Sequence, residues 1–325
     1  MRTERAQRII ADARTIGVVR TDHLGDMVLT LPLVGALRQE FPWATVVVIA
    51  HSRTAPLLEW TVGADACMFV DRTPLELILR RTTFDALFFP RASAEEAWHA
   101  WRAGIPLRVG TRYRWWSVLY NIRVPDHRRT AAYHEAEYNV RMLEYITGKR
   151  ADVTLMRPTV PETVRSEVDA LLKRAGIGQR FIVVHPGGRG SAPRWAHFPV
   201  LATLLAERFR DHQIVITGVA REAKLCSTIV DAVPTAVNLC GTLSLQQLIG
   251  VLERAAVVVA NSTGVLHIAA SLGRAVVGIY PSEPPSQSPA RWRPLGERVI
   301  VRSASPIDAI TAAEVADAVS VLLDS

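Results

Sequence analysis

The sequence predicts an α/β fold made of two parallel-sheet domains. Short apolar, β-branched segments alternate with helical patterns in both halves of the 325 residues, which is typical of βαβ units. With 49% hydrophobic and 21% charged residues, the chain has the composition of a protein that is globular throughout. Ligands of open parallel sheets bind at the carboxyl ends of the strands. We therefore expect two Rossmann-like domains that face one interdomain cleft, with a site built from the loops at those strand ends.

Apolar segments predict the strands in chain order. Those of the first half are 16–20, 45–50, 66–70, 86–89 and 107–110. Those of the second half are 181–186, 213–218, 236–241, 257–261, 275–280 and 298–302. Between them, 111–130 mixes arginine with aromatic residues, and a helix that Gly148 ends comes next.

A domain boundary is predicted between residues 165 and 166. It separates an N-terminal domain, 1–165, from a C-terminal domain, 166–325. The last segment, 306–324, has a helical pattern and could be capped by Ser305 or Asp308. This terminal helix could pack back on the N-terminal domain.

Charge and cysteine content limit the class of protein. The net charge of +7 fits a phosphate-rich partner or an anionic membrane surface, but only three of the 38 basic residues are lysines, so a general arginine bias explains it equally well. The three cysteines lack metal-ligand spacing, and the chain shows neither a secretory signal nor an apolar run that would span a bilayer. We expect a cytoplasmic protein whose membrane contact, if any, is peripheral.

The segment "RTDHLGDMVLT", 20–30, places a lone acid, Asp26, where a helix begins after a strand. This carboxylate could cap the helix, or it could be a catalytic base. Gly25 would let a ligand approach the backbone closely. Arg20 and His23 are candidate ligand contacts beside it.

The loop "HPGGRGSAPRW" in the second half has the composition of an anion-binding loop. Gly187 and Gly188 let backbone N–H groups approach an anion, while Arg189 and Arg194 supply positive charge. Glycine in a strand-to-helix turn is the simpler explanation, but paired glycines with two arginines exceed what a turn requires.

A second anion-binding loop is predicted at "ANSTGVLHIAA". Ser262, Thr263 and Gly264 stand at the start of a helix, where free N–H groups and the helix dipole favour phosphate oxygens. One of the hydroxyls could also be the N-cap, which is compatible with phosphate binding. His267, within this helix, is by itself more typical of a buried core histidine. Glu222 follows the strand in between, and could bind ribose hydroxyls or be a solvated first-turn acid.

Several other chemistries are disfavoured. The chain lacks G-x-G-x-x-G after its first strands, the P-loop, H-E-x-x-H, G-x-S-x-G and a D-x-D metal motif. The segment 112–129 carries Arg112 and Arg114 among aromatic residues that could stack on bases. We exclude nucleic acid as a partner, because the phosphate loops lie in the other half, and keep both arginines as candidate ligand contacts.

Taken together, these blocks resemble glycosyltransferase family 9, the lipopolysaccharide heptosyltransferase family. The resemblance rests on "LGDMVLTLPLVGALRQEFPWATV", on "HPGGRGSAPRWAHFPVLATLL" and on the long block from "GTLSLQQLIG" to "RWRPLG". The helix "HEAEYNVRMLEYITG" is also similar to an interdomain helix of the family. The resemblance extends over roughly residues 15–300.

The resemblance implies a GT-B fold and an inverting, metal-independent transfer of a heptose-like sugar from a nucleotide-sugar such as ADP-heptose to a lipid-linked saccharide, without a further cofactor. It makes Asp26 the catalytic base. The candidate contacts of the acceptor are Arg20, His23, Gly25, Arg112 and Arg114. The implied donor contacts are Gly187, Gly188, Arg194, Glu222, Ser262, Thr263, Gly264 and His267. Pro193 and Ser262 depart from the family's usual residues and put the identity of the donor sugar in doubt.

Two other functions stay open at this point. A GT-B nucleotide-sugar epimerase or hydrolase would use the same donor loops without a glycosyl acceptor. A non-catalytic module that binds a nucleotide-sugar would explain the two departures, although the retention of Asp26 argues against it.

Overall fold

The computed structural model of the chain describes residues 2–91, 93–188 and 193–324. Two compact units make up the chain, Met1–Pro158 and Thr159–Ser325. Each unit contains one sheet of six parallel strands flanked by helices. The predicted α/β class with two parallel sheets is confirmed.

The sheet of the first unit has the strand order β3-β2-β1-β4-β5-β6. Its strands are β1 Thr15–Arg20, β2 Thr45–Ala50, β3 Ala66–Phe69, β4 Ala86–Phe88, β5 Leu107–Thr111 and β6 Ile122–Val124. The central strand is buried on both faces, and Val18 lies opposite Val48 on one side and Phe88 on the other. Such continuous β-branched sequence is what a doubly covered parallel strand requires.

Helices cover both faces of this sheet. They are α1 Arg2–Ala11, α2 Leu24–Val28, α3 Leu31–Glu40, α4 Ala55–Glu59, α5 Leu75–Arg81, α6 Ala94–Arg102 and α7 Glu135–Thr147. Pro32 stands in the first turn of α3, where its missing N–H costs nothing. Gly148 ends α7 in the left-handed conformation, with φ of 70°, as the sequence predicts.

The second unit repeats this design. Its strands are β7 Phe181–His185, β8 Gln213–Ile216, β9 Val237–Asn238, β10 Val257–Asn261, β11 Ala275–Pro281 and β12 Val299–Ala304, in the order β12-β11-β10-β7-β8-β9. Its helices are α8 Glu162–Arg174, α9 Phe198–Arg208, α10 Ala223–Ala232, α11 Leu245–Arg254, α12 Gly264–Ser271, α13 Pro289–Trp292 and α14 Ala312–Asp324.

The structure differs from the prediction at three places. Strand β6 lies within 111–130, where arginine and aromatic residues hide the apolar pattern. The predicted boundary at 165 falls inside α8, which packs on α11 within the second unit. The predicted terminal helix, 306–324, begins later, at Ala312, and the sequence left its packing on the N-terminal domain open. Helix α14 packs on α9, and its apolar side chains belong to the core of the second unit.

The cap of the terminal helix also differs. Neither Ser305 nor Asp308 caps α14, because a 3₁₀ turn, Ile307–Ala309, comes first. The side chain of Thr311 accepts a hydrogen bond from the backbone N–H of Glu314 at 3.2 Å, and the Glu314 carboxylate in turn accepts from Thr311. Thr311 and Glu314 thus form the reciprocal capping pair of this helix.

Strand order reverses direction at one point in each sheet. In the first unit this point lies between β1 and β4, and in the second it lies between β7 and β10. The loops that leave the two strands there diverge to opposite faces, which opens a crevice at the carboxyl edge. The loops at 20–26, 186–188 and 261–264 all begin at such a point.

We expect Gly110→Ala to destabilise the first unit. A Cβ at Gly110 would lie 2.3–2.6 Å from ring atoms of Tyr120, which is almost fully buried and cannot withdraw. Overpacking of this kind costs about 1–3 kcal/mol, measurable as a lower urea midpoint. Gly178→Ala is the matched control, since its Cβ would meet only the Gln213 side chain, at 3.4 Å. Equal midpoints for the two variants would contradict the prediction.

Candidate functional site

Asp26 lies in the first turn of α2, at the carboxyl edge of the first sheet. The N-cap of this helix is His23, whose side chain makes no capping hydrogen bond. The Asp26 carboxylate instead accepts a hydrogen bond from the guanidinium of Arg20, the last residue of β1. The hydroxyl of Thr30 donates to the backbone carbonyl of Asp26 at 2.7 Å and fixes the turn. Among the described contacts, Asp26 therefore serves an ion pair and not a helix cap.

Arg20 is the centre of a buried charge cluster, with only 3% of its side chain exposed. Its Nε donates to Asp22 at 2.7 Å, a terminal nitrogen donates to Asp26, and the other lies 3.5 Å from Glu135. Burial alone would lower the pKa of Arg20, but the carboxylates of Asp26, Asp22 and Glu135 raise it above its ordinary value. Arg20 is thus a permanent cation in this site.

Helix α7 provides two residues that stabilise the charge cluster around Arg20. Glu135, 1% exposed, also binds Arg128, and the guanidinium of Arg128 donates to Asn139 at 3.0 Å. The amide nitrogen of Asn139 donates to the carbonyl of Leu29 at 2.9 Å. Because positions 135 and 139 lie one turn apart on the helix, α7 holds both Arg20 and the loop after α2 with a single face.

Glu96, in the helix that follows β4, is a further acid beside the cluster. Thr21 donates to Glu96, in the first turn of α6, at 2.5 Å, and Arg91 donates to Thr21 at 3.3 Å. Burial raises the pKa of Glu96, while the hydrogen bond from Thr21 and the charge of Arg91 oppose the rise. The crevice between β1 and β4 thus contains both acids and arginines.

The pKa of Asp26 is raised above its ordinary value. Burial is the largest cause, the charge of Arg20 opposes it, and the nearby charges of Asp22 and Glu135 add to it. A side chain that is only 16% exposed still reaches solvent at this edge. Asp26 therefore combines accessibility with an increased affinity for a proton, as a general base requires.

The structure places the remaining acceptor candidates of the first unit at the same edge of the sheet. Gly25 is buried in α2 and His23 is exposed at its start. Arg112 and Arg114 are exposed on the loop after β5, two strands away from β1. Among the described hydrogen bonds and ion pairs of the acceptor candidates, only those of Arg20 involve the Asp26 carboxylate. The charge of His23 also lowers the pKa of Asp26.

In the second unit the two predicted anion loops lie side by side. A Cβ at Gly188 would be 3.1 Å from the methyl group of Thr263. Asn261 connects the loops, since its amide donates to the carbonyl of Pro186 at 2.9 Å and accepts from the backbone N–H of Trp195 at 3.2 Å. Trp195 is buried, so the start of the following segment is fixed as well.

Glu222 holds the glycine loop in place. Its carboxylate accepts from the backbone N–H of Gly188 at 3.0 Å and from that of Val219 at 2.9 Å. A Cβ at Gly187 would lie 2.2–2.5 Å from this carboxylate, so only glycine fits there. Glu222 thus has a structural role that the sequence did not predict, and its predicted ribose contact stays a prediction.

The start of α12 presents polar groups to this loop. Thr263 is the N-cap residue, and its buried hydroxyl has no hydrogen-bond partner among the described residues. The first N–H groups of a helix beginning at Gly264 point to the same place. Ser262 is half-buried, His267 is buried one turn into the helix, and Arg194 is exposed. Arg189 lies outside the described residues.

His185, the last residue of β7, is a site residue that sequence reasoning missed. It is buried, and its Nδ1 lies 3.0 Å from the hydroxyl of Thr217. Glu135, Asn139 and Arg128 were missed in the same way. The sequence does mark three of these residues. His185 directly precedes the glycine loop, and Glu135 and Asn139 are spaced by one helical turn, which places them on one face of a helix.

A metal site and a membrane-spanning helix are both absent from the described ranges. No group of three side chains there could hold a metal ion. No helix of residues 2–91, 93–188 or 193–324 is both long and apolar enough to cross a membrane.

We expect His185 to make the second unit sensitive to acid. Burial lowers its pKa from 6.5 to about 4, although the charge of Glu222 and the hydrogen bond with Thr217 oppose the shift. Between these two pH values the unfolded chain binds a proton at His185 that the folded chain does not bind. The free energy of unfolding should therefore be unaffected by His185 above pH 6.5 and fall toward pH 4, by up to about 3 kcal/mol.

Urea unfolding of the parent and of His185→Asn across this pH window measures the effect. Asn keeps a polar partner for Thr217 but does not titrate, so its stability should depend less on pH. Parallel loss of stability in both proteins would assign the acid sensitivity to other groups.

Comparison with known proteins identifies the family. The model of "Glycosyltransferase family 9 (heptosyltransferase)" matches residues 73–314. Lipopolysaccharide heptosyltransferase 2 of Escherichia coli K12 is 26% identical over 293 residues, covering 82% of this chain and 83% of that protein. The family match begins after Asp26, whereas this relative's alignment covers most of both chains.

Solved structures share the fold. A family 9 glycosyl transferase from Veillonella parvula DSM 2008 has a TM-score of 0.85 at 18% identity, over 97% of this chain and 99% of that one. The E. coli ADP-heptose lps heptosyltransferase II has a TM-score of 0.78 at 23% identity, over 95% and 98%. The predicted GT-B fold is confirmed. Because the family model covers well over half of the sequence, the chain belongs to glycosyltransferase family 9 and is a glycosyltransferase.

Proposed function

We propose that this enzyme transfers a heptose-like sugar from a nucleoside-diphosphate donor to a hydroxyl of a lipid-linked saccharide, with inversion and without a metal ion or further cofactor. ADP-heptose is the proposed donor, and synthesis of the lipopolysaccharide core or a related surface glycan is the proposed process. Family membership supports the reaction class, and the name of the E. coli relative supports the process. The proposed location is the cytoplasm.

The observation that carries the mechanism is the solvent-reaching carboxylate of Asp26 with a raised pKa. Asp26 would accept the proton of the acceptor hydroxyl as the hydroxyl oxygen attacks the anomeric carbon. The bond to the diphosphate oxygen breaks on the opposite face, which inverts the configuration. Arg20 keeps a sufficient fraction of Asp26 ionised by opposing the effect of burial.

The loops of the second unit would bind the donor. The buried Thr263 hydroxyl suits phosphate oxygens because it has no hydrogen-bond partner among the described residues. The N-terminus of α12 suits them because the first N–H groups of a helix have no acceptor within the helix. Ser262, Gly264, His267 and the glycines at 187 and 188 surround the same loop, with Arg189 and Arg194 as the proposed cations. These groups would stabilise the leaving diphosphate in place of a metal ion.

Two parts of the proposal remain sequence-based predictions. The first is the interdomain cleft that would bring the donor to Asp26. The second is the absence of a metal requirement.

We expect turnover to persist in EDTA after exhaustive dialysis. Turnover restored only by a divalent cation would contradict it.

We expect Asp26→Asn to lower kcat by at least about a hundredfold, because the variant keeps the shape of the side chain and loses the base. Donor affinity should change little, since the donor loops lie in the second unit. Release of nucleoside diphosphate in the presence of acceptor measures kcat, and calorimetry measures donor binding.

Asp22→Asn is the matched control for this experiment. Asp22 also binds Arg20, and its side chain is 15% exposed against 16% for Asp26. If neutralising Arg20 were the only role of Asp26, the two variants would lose activity equally. Near-parental turnover of Asp26→Asn would overturn the mechanism. Release of free sugar at the full rate without acceptor would favour a hydrolase instead.

The acidic limb of the pH profile for kcat/KM should shift in opposite directions in two variants. Asp26 must be ionised to act, so activity falls as pH drops through its pKa. Arg20 lowers that pKa and Asp22 raises it. Arg20→Gln should therefore move the limb to higher pH and Asp22→Asn to lower pH. Shifts in the same direction in both variants, or no shift, would show that another group controls the limb.

A further inference from the structure

An exposed apolar surface lies on the first unit, outside the two candidate sites. Three tryptophans and a valine form it: Trp98 and Trp101 of α6, and Trp115 and Val118 of the 3₁₀ turn Trp115–Leu119. Their side chains are 46%, 48%, 80% and 69% exposed, respectively. We call this set the tryptophan surface. Large apolar side chains that gather in one exposed place mark an interaction site.

The members of this surface are physically connected. The rings of Trp98 and Trp101 lie 5.1 Å apart, and α6 packs on the 3₁₀ turn. Trp101 and Val118 line the same pocket, of about 480 Å³. Trp115 and Val118 are three residues apart, so a 3₁₀ turn places them on one side. The surface is therefore continuous from α6 to the turn.

Arginines surround the apolar side chains. Arg5 and Arg123 line the pocket, and the exposed Arg102 and Arg114 adjoin Trp101 and Trp115 in sequence. Arg108 also lines the pocket, but its guanidinium donates to the carbonyls of Leu119 and Ile105 and supports the fold. The surface combines tryptophan with positive charge.

We propose that the tryptophan surface docks this enzyme on an anionic lipid bilayer. Tryptophan prefers the boundary between lipid headgroups and acyl chains, and arginine is attracted to anionic headgroups. A second copy of the chain is a less favourable partner for the tryptophan surface. A symmetric dimer through this surface would place arginines against arginines, and like charges across an interface disfavour association.

The surface lies along the β6 side of the first sheet. Its turn begins near the carboxyl end of β5, which ends at Thr111, whereas its pocket is lined by residues 104–107 and 120–122 at the amino ends of β5 and β6. Docking through this side would leave the carboxyl edge with Asp26 open beside the headgroups, where a lipid-linked acceptor would present its saccharide. Only this last step rests on the proposed function, because binding to a bilayer needs neither donor nor acceptor.

Cosedimentation of the full chain with sucrose-loaded vesicles tests the proposal. Vesicles of phosphatidylethanolamine and phosphatidylglycerol are compared with vesicles of phosphatidylcholine alone. The parent should bind the anionic vesicles, and more weakly as salt is added. Trp101→Ser with Trp115→Ser should weaken binding by about tenfold or more. Arg5→Gln with Arg123→Gln should weaken it by about 25-fold, from about fivefold per arginine.

Matched controls separate this surface from general effects. Trp43→Ser removes a 51% exposed tryptophan elsewhere in the first unit, and Arg210→Gln removes an exposed arginine of the second unit. Both should bind like the parent. Near-UV circular dichroism checks that each variant is folded.

Three results would overturn the proposal. The parent could fail to bind anionic vesicles, or the surface variants could bind as well as the parent. Sedimentation velocity could also show a parent dimer that the surface variants abolish, which would assign the surface to a second copy.

Turnover of a soluble acceptor separates the docking proposal from the proposed function. If turnover is present and vesicle binding absent, only the docking fails; if binding is present and turnover absent, only the proposed function fails.

Discussion

The first candidate site depends on one buried cation. Arg20 ends the central strand of its sheet, and its guanidinium has almost no contact with solvent. A buried charge is tolerated only when opposite charges compensate it, and loss of one partner costs about 3–5 kcal/mol. The carboxylates of Asp22, Asp26 and Glu135 are the compensation, so their positions are determined by Arg20. The turn that begins α2 and the start of α7 are thereby fixed to the same point.

This compensation has a chemical consequence. Several carboxylates around one guanidinium also repel one another, so Asp26 experiences the charges of Asp22 and Glu135 as well as that of Arg20. Together with burial, these charges raise its pKa, and Arg20 limits the rise. A carboxylate bonded to arginine alone would be a weaker base. The surplus of acid around Arg20 is therefore what suits Asp26 to accept a proton.

The sequence predicts local features of this protein well and long-range pairs poorly. Alternating apolar segments identify the parallel sheets because burial on both faces leaves a continuous β-branched pattern. Gly187 and Thr263 stand out because each lies in the loop directly after a strand, and Asp26 stands out because it lies in the first turn of the helix that follows β1. The pairing of Arg20 with Glu135 spans more than a hundred residues and leaves no local pattern. Strand β6 was missed because the arginine and aromatic side chains around it mask its apolar pattern. The packing of α14 on α9 depends on tertiary contacts that leave no local pattern either.

Glu222 constrains how a diphosphate could lie in the second unit. A carboxylate would repel phosphate oxygens placed beside it, yet this one is buried next to the glycine loop. Its two described hydrogen bonds use one oxygen each, for Gly188 and Val219, so a lone pair on each oxygen can still accept from a hydroxyl. The nucleoside, which offers hydroxyl donors, suits the side of the loop next to Glu222. The phosphates suit the unpaired hydroxyl of Thr263 and the N-terminus of α12. We therefore expect the proposed donor to lie with its nucleoside toward Glu222 and its diphosphate toward α12.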